Sequence, residues 1–154
     1  MSFSSSSIKS KALATWAAVL GGPFGLHRFY LYGLNDRLGW LCPIPTLAGA
    51  WGVRRVFELG QNDQLAWVLL PVLGFMVAAS MLQAIIYGLT PDEAWHARHN
   101  RLVPPAQRPA SGWGVVIGIV TALLVGATVL MSTIAYSGQR YFEYQIEEAL
   151  KISQ

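Results

Sequence analysis

Glu93, His96 and His99 stand three residues apart, a spacing that on a helix sets a carboxylate and two imidazoles on one face, where they could hold a metal ion. The pattern is weakly specific. Asp92 and Glu93 are equally explained by the favourable dipole at a helix N-terminus, and His96 and His99, among Trp95, Arg98 and Arg101, suit a surface at head-group level. Cys42, the single cysteine, lies inside an apolar run with no histidine near it in sequence, which makes it a packing residue rather than a nucleophile. No H-E-x-x-H occurs and no carboxylate pair falls in an apolar run. These residue types assemble no catalytic constellation, and no cofactor or metal is expected.

The densest polar and aromatic signature is residues 21–33, Gly-Gly-Pro-Phe-Gly-Leu-His-Arg-Phe-Tyr-Leu-Tyr-Gly. Pro23 has no backbone donor and disfavours helical geometry at Gly22, so Gly21-Gly22-Pro23 is expected to kink or break a helix. Gly25 permits another backbone to come close. His27 can change charge near neutral pH and Arg28 can clamp phosphate or carboxylate. The functional reading is a polar recognition turn; the plainer one is anchoring by interfacial aromatic and basic residues.

The elements that position this turn are apolar. With 53% hydrophobic and only 12% charged residues, the chain lies far from the roughly 25% charge of soluble domains. Four segments carry no Asp, Glu, Lys or Arg: 12–26, 38–53, 65–89 and 110–139. The last two exceed the roughly 20 residues that cross a hydrocarbon core. The first two are shorter, but Trp16, Phe29, Tyr30, Tyr32 and Trp51, with Arg28 and Arg37, can extend their ends to the interface. The expected fold is all-α, a polytopic integral membrane protein with four transmembrane helices. Residues 1–62 form a hairpin with a disordered tail around Ser4–Ser7, and 63–154 a second helical pair.

Within the second pair, Thr90, Pro91 and Glu93 read as a capping box opening an interfacial helix over 91–103, stopped by Pro104 and Pro105. Residues after Tyr136 read as an amphipathic helix, with Phe142, Ile146 and Leu150 on one face. Gly114, Gly118, Ala122 and Gly126 recur every four residues and predict a packing seam, within the molecule or between copies. Four crossings would place six cations on the side of the termini and five on the other, which barely orients the chain; both termini are assigned to the cytoplasm. The cations are scattered, so the net charge of +3 indicates no nucleic-acid partner.

Residues 9 to about 57 resemble the two-transmembrane-helix, or TM-two, domain family, which includes bacterial membrane proteins and animal beta-amyloid-binding-protein-like proteins. Lys11, Gly22, Gly25, His27, Phe29, Tyr30 and Gly33 carry its pattern, followed by Trp51. Tyr32 intervenes before Gly33, and Arg54-Arg55 stand where an aspartate commonly follows the tryptophan, which leaves His27 or Arg28 without an acidic partner. The resemblance implies a membrane hairpin in a multi-pass protein of a bacterial inner membrane. Residues 65–154 lie outside it, and no repeat relates them to the first half.

The expected function is a non-enzymatic scaffold or regulator that binds lipid and a membrane-protein partner, or itself, through the His27–Tyr30 turn. The alternative is a small transporter or channel. That reading finds only hydroxyls and Gln83 among the clearer polar groups of the spans.

Overall fold

The computed structural model describes residues 8–153 and is helical, with no strand among them. The serine run at Ser4–Ser7 lies outside the described residues. Helix α1 (Lys11–Gly21) opens on Ser10, whose hydroxyl accepts from the Leu13 amide. It ends where expected: Pro23 cannot donate, residues Gly22–Phe24 tighten into a 3-10 turn, and Gly25 takes a left-handed φ of 77°. Helix α2 (Leu26–Tyr32) then runs back along α1. The Tyr30 hydroxyl accepts from the Ser10 amide and the Tyr30 carbonyl from Lys9 Nζ, both at 2.8 Å.

The second run divides into α3 (Arg37–Leu41) and α4 (Pro43–Leu59). Pro43 and Pro45 remove two helical donors, yet Cys42 stays in the right-handed helical region (φ −58°, ψ −41°), so the chain continues helically through the break. Helix α5 (Gln64–Leu89) is capped by Asp63 and tolerates Pro71 in its interior. Helix α6 (Asp92–His99) follows, and α7 (Trp113–Ile152) runs 40 residues without interruption. The amphipathic stretch after Tyr136 is thus a continuation of the last long helix.

Two helices, α5 and α7, are long and apolar enough to cross a membrane. Only 17% and 22% of their most apolar windows are buried, unlike core helices of a soluble domain. Large side chains such as Leu82, Leu123 and Leu124 face outward instead. The first run does not supply a helix of spanning length, because α1 covers 11 residues, about 16 Å. The core cluster joins Ala14, Ala18 and Leu31 to Met81, Ala84, Tyr87, Trp95 and Ala122, so both sequence-defined halves share one interior.

Candidate functional site

Within the 22–33 turn, the Pro23 carbonyl, the Arg28 guanidinium and the Tyr30 hydroxyl and carbonyl are engaged by the fold. A Cβ on Gly22 would lie 2.3 Å from that of Ser80, and one on Gly25 2.5 Å from the Gly39 carbonyl oxygen, so both glycines admit a neighbour that no side chain would. The Pro23 carbonyl, freed from helical bonding, accepts from the Thr46 hydroxyl at 2.6 Å. Phe29 packs over Gly39 and against Trp40, with ring centroids 5.2 Å apart. His27 is buried beside Tyr87, and its Nδ1 has no protein partner. Gly33, at φ 82°, closes α2.

Arg28 does have an acidic partner, contrary to the expectation drawn from the missing aspartate near Trp51. Its Nε donates to Asp36 Oδ2 at 2.6 Å, and the guanidinium holds the Asp36 carboxyl below the usual carboxylate range. Asp36 also accepts from the Gly39 amide and so caps α3.

This arrangement occurs twice. Arg55 Nε donates to Asp63 Oδ2 at 2.6 Å, Asp63 caps α5 through the Ala66 amide, and its carboxyl is likewise lowered by the arginine. The Trp40 and Trp67 indoles donate to the carbonyls of Leu34 and Gln61. Gly33 and Gly60 adopt nearly the same conformation, φ 82° and 88° with ψ 177°. Behind the geometry is a shared pattern, R-x-x-x-x-G-x-N-D-x-L-[G/A]-W, at residues 28–40 and 55–67. One copy opens α3 and the other opens α5.

The third part of the site joins α6 to the segment before α1. Trp95 Nε1 and Asn100 Nδ2 both donate to the Lys9 carbonyl, while Asn100 Oδ1 accepts from the Lys9 amide. His96 lies between Asn100 Nδ2 and the Pro109 carbonyl, each at 3.0 Å, which assigns the proton to Nε2 and leaves Nδ1 as acceptor. Lys11 Nζ reaches Asp92 Oδ1 at 2.6 Å and the Thr90 carbonyl at 2.8 Å. Asp92 also accepts from Ser111; the lysine first, and the serine hydroxyl and amide with it, hold the carboxyl well below its ordinary range.

Helix α6 is shorter than the interfacial helix expected over 91–103. It ends at His99, and Thr90 forms no capping box, since its hydroxyl donates to the Ile86 carbonyl. Trp95 and His96 are buried while Glu93 is exposed, so the carboxylate and imidazoles share no metal face. His99 packs at a tilt against Trp95, with ring centroids 4.5 Å apart, and approaches Tyr32; burial, and then Arg98, lower its pKa. Among the described residues no group of three His, Cys, Asp or Glu is placed to hold a metal.

The small-residue seam lies inside the molecule. A Cβ on Gly118 would meet Thr15 at 2.8 Å and one on Gly126 would meet Met81 at 2.8 Å, and Ala122 is wholly buried. Gly114 borders open space, although its carbonyl accepts from Trp16 Nε1. Comparison with protein-family models, curated proteins and solved structures returns no match.

Proposed function

We propose that this chain is a non-enzymatic, multi-pass component of a bacterial inner membrane, of the TM-two type, serving as a scaffold or regulator for a membrane-protein partner or lipid. The supporting observation is that the Pro23 carbonyl, the Arg28 guanidinium and the Tyr30 hydroxyl and carbonyl are engaged within the fold, while large apolar side chains point outward. Such a site holds a shape rather than performing a reaction. The seven pattern residues all do structural work: Lys11 on Asp92, the glycines at close approaches or turns, His27 on Tyr87, Phe29 on Trp40 and Tyr30 on Ser10.

The His27–Tyr30 turn meets a partner through the exposed residues that follow it, Tyr32, whose ring lies 6.1 Å from that of His99 of α6, and Arg37. Crosslinking mass spectrometry on protein purified from membranes in mild detergent tests this. A near-stoichiometric partner should be recovered with wild type and lost with Tyr32→Ala, Arg37→Ala. Recovery unchanged by the double variant defeats the reading.

A second reading, a small transporter or channel, draws on one observation, the buried and unpaired His27 Nδ1 beside Tyr87. It requires solute flux in proteoliposomes that His27→Ala abolishes.

A further inference from the structure

We propose that the first apolar run enters the membrane and returns to the face it came from, so that the chain crosses three times and its termini lie on opposite sides. The inference rests on the membrane reading above; it replaces the four crossings, with both termini on one side, that run lengths alone predict, and departs from the two-crossing hairpin that the TM-two resemblance implies.

Helices α5 and α7 provide the depth scale. They are antiparallel along their shared length: Gly88 faces Ile119, Gly126 faces Met81, Gly74 faces Thr133, and Arg140 lies over the Trp67 ring. One face of the bundle therefore holds Thr90 and Trp113, and the other Gln64 and Arg140. Lys11 Nζ on the Thr90 carbonyl fixes the start of α1 at the first face. Gly22 against Ser80 fixes its end only ten residues along α5, about 15 Å, or half of a hydrocarbon core of about 30 Å.

From that depth the chain turns back. Tyr30 meets Lys9 and Ser10, and Tyr32 meets His99, so α2 ends on the face where α1 began. The next segment makes the crossing. Gly49 faces Leu73 and Gly52 faces Leu69, which carries α3 and α4 antiparallel to α5 until Arg55 reaches Asp63 at the second face. Residues 37–59 advance about 34 Å at about 1.5 Å each, enough to span.

A non-helical turn at mid-depth is tolerated only where protein covers and satisfies its backbone. Here Ser80 covers Gly22, Thr46 binds the Pro23 carbonyl, and the Gly39 backbone seals Gly25.

This topology also redistributes charge. Lys9, Lys11, Arg28 and Arg37 join Arg98, Arg101 and Arg108 on the first face, leaving Arg54, Arg55, Arg140 and Lys151 on the second. Seven against four, where four crossings gave six against five, places the first face in the cytoplasm. The exposed arginines of the α6 region then face the cytoplasm, and the end of α7 faces the opposite compartment.

The experiment uses the full chain in a Cys42→Ala background, after carbonate-resistant membrane retention has established the membrane reading. Single cysteines at the exposed positions Ile8, Asn35, Ala106 and Ser153 are treated with a membrane-impermeant maleimide in intact bacterial host cells and again after permeabilisation. Ser153→Cys should label in intact cells; Ile8→Cys, Asn35→Cys and Ala106→Cys should label only after permeabilisation. Ile8→Cys and Asn35→Cys labelling from opposite sides would overturn the hairpin. Both labelling in intact cells, with Ser153→Cys protected, would overturn the sidedness. C-terminal phosphatase and green-fluorescent-protein fusions to the unsubstituted chain give an independent reading, with an active phosphatase and a dark fluorophore expected and the reverse overturning the assignment.

Discussion

Gly25→Ala perturbs the point where the hairpin tip meets α3. Two costs combine there. At φ 77° an added Cβ incurs about 1–2 kcal/mol of backbone strain. It would also lie 2.5 Å from the Gly39 carbonyl oxygen, 3.2 Å from its carbon and 3.3 Å from its Cα. All three are backbone atoms, so no rotamer relieves the clash and α2 must move away from α3. Overpacking of this kind costs about 1–3 kcal/mol, for a total of about 2–5 kcal/mol. Gly33→Ala is the control, because its φ of 82° and ψ of 177° impose strain while nothing lies within 4 Å of the added carbon. Its cost is about 1–3 kcal/mol from the backbone alone. At about 2–4 °C per kcal/mol, Gly25→Ala should lower Tm in detergent by about 4–20 °C and by several degrees more than Gly33→Ala, read by fluorescence-detected size exclusion after heating. Equal losses would show that the tip is not sealed against Gly39 and would refute the reasoning.

Three further outcomes follow from the same geometry. Gly118→Leu, which drives a side chain into Thr15, should lower Tm by about 2–12 °C, whereas Gly114→Leu, facing open space, should leave it within about 2 °C. Thr46→Val deprives the Pro23 carbonyl of its donor and should cost about 1–3 kcal/mol; unchanged melting would mean that the carbonyl finds another partner. For Lys11 and Asp92, the folded carboxyl titrates below its unfolded value, so its stabilisation is fully present above the ordinary carboxylate range and is lost as pH falls through the lowered folded value. Asp92→Asn should therefore melt below wild type between about pH 5 and 8, with the gap narrowing below about pH 4, in melting curves across pH. A gap that does not change with pH would remove the ion pair from the account.

Residues that act on their own neighbours were legible in the sequence. Pro23 ends α1 through its missing donor, and Gly25 lets another backbone close in, as their types dictate. Gly118, Ala122 and Gly126 line a seam because a four-residue period needs only helical geometry. Direction through the membrane was not legible from run length. An apolar stretch with a glycine-proline break in it satisfies a crossing and a half-depth return equally, and the choice is made by Tyr30 meeting Ser10 and Gly22 meeting Ser80, contacts 20 and 58 positions apart in the chain. The Thr90 capping box failed for a local reason, because the Thr90 hydroxyl donates back to the Ile86 carbonyl at the end of α5 instead of forward into α6.

The partner of Arg28 is visible in the sequence, but not by helical spacing. A carboxylate eight residues on, across G-x-N-D, lies on the far side of a tight turn rather than on the same helix face, so helical spacing rules pass it by. The second copy, Arg55 to Asp63, repeats that spacing and supplies the signal: a pattern that recurs 27 positions later, with the same glycine, aspartate and tryptophan, marks one solution used twice. Both copies solve the same problem. Each ends a helix with a left-handed glycine, turns within three residues, caps the next helix with an aspartate and neutralises that aspartate with the arginine it has just left behind. In the proposed topology the two copies stand at opposite ends of the 37–59 crossing, where a charge pair satisfied within the turn fixes each end of the segment at an interface without leaving an unpaired ion in contact with lipid.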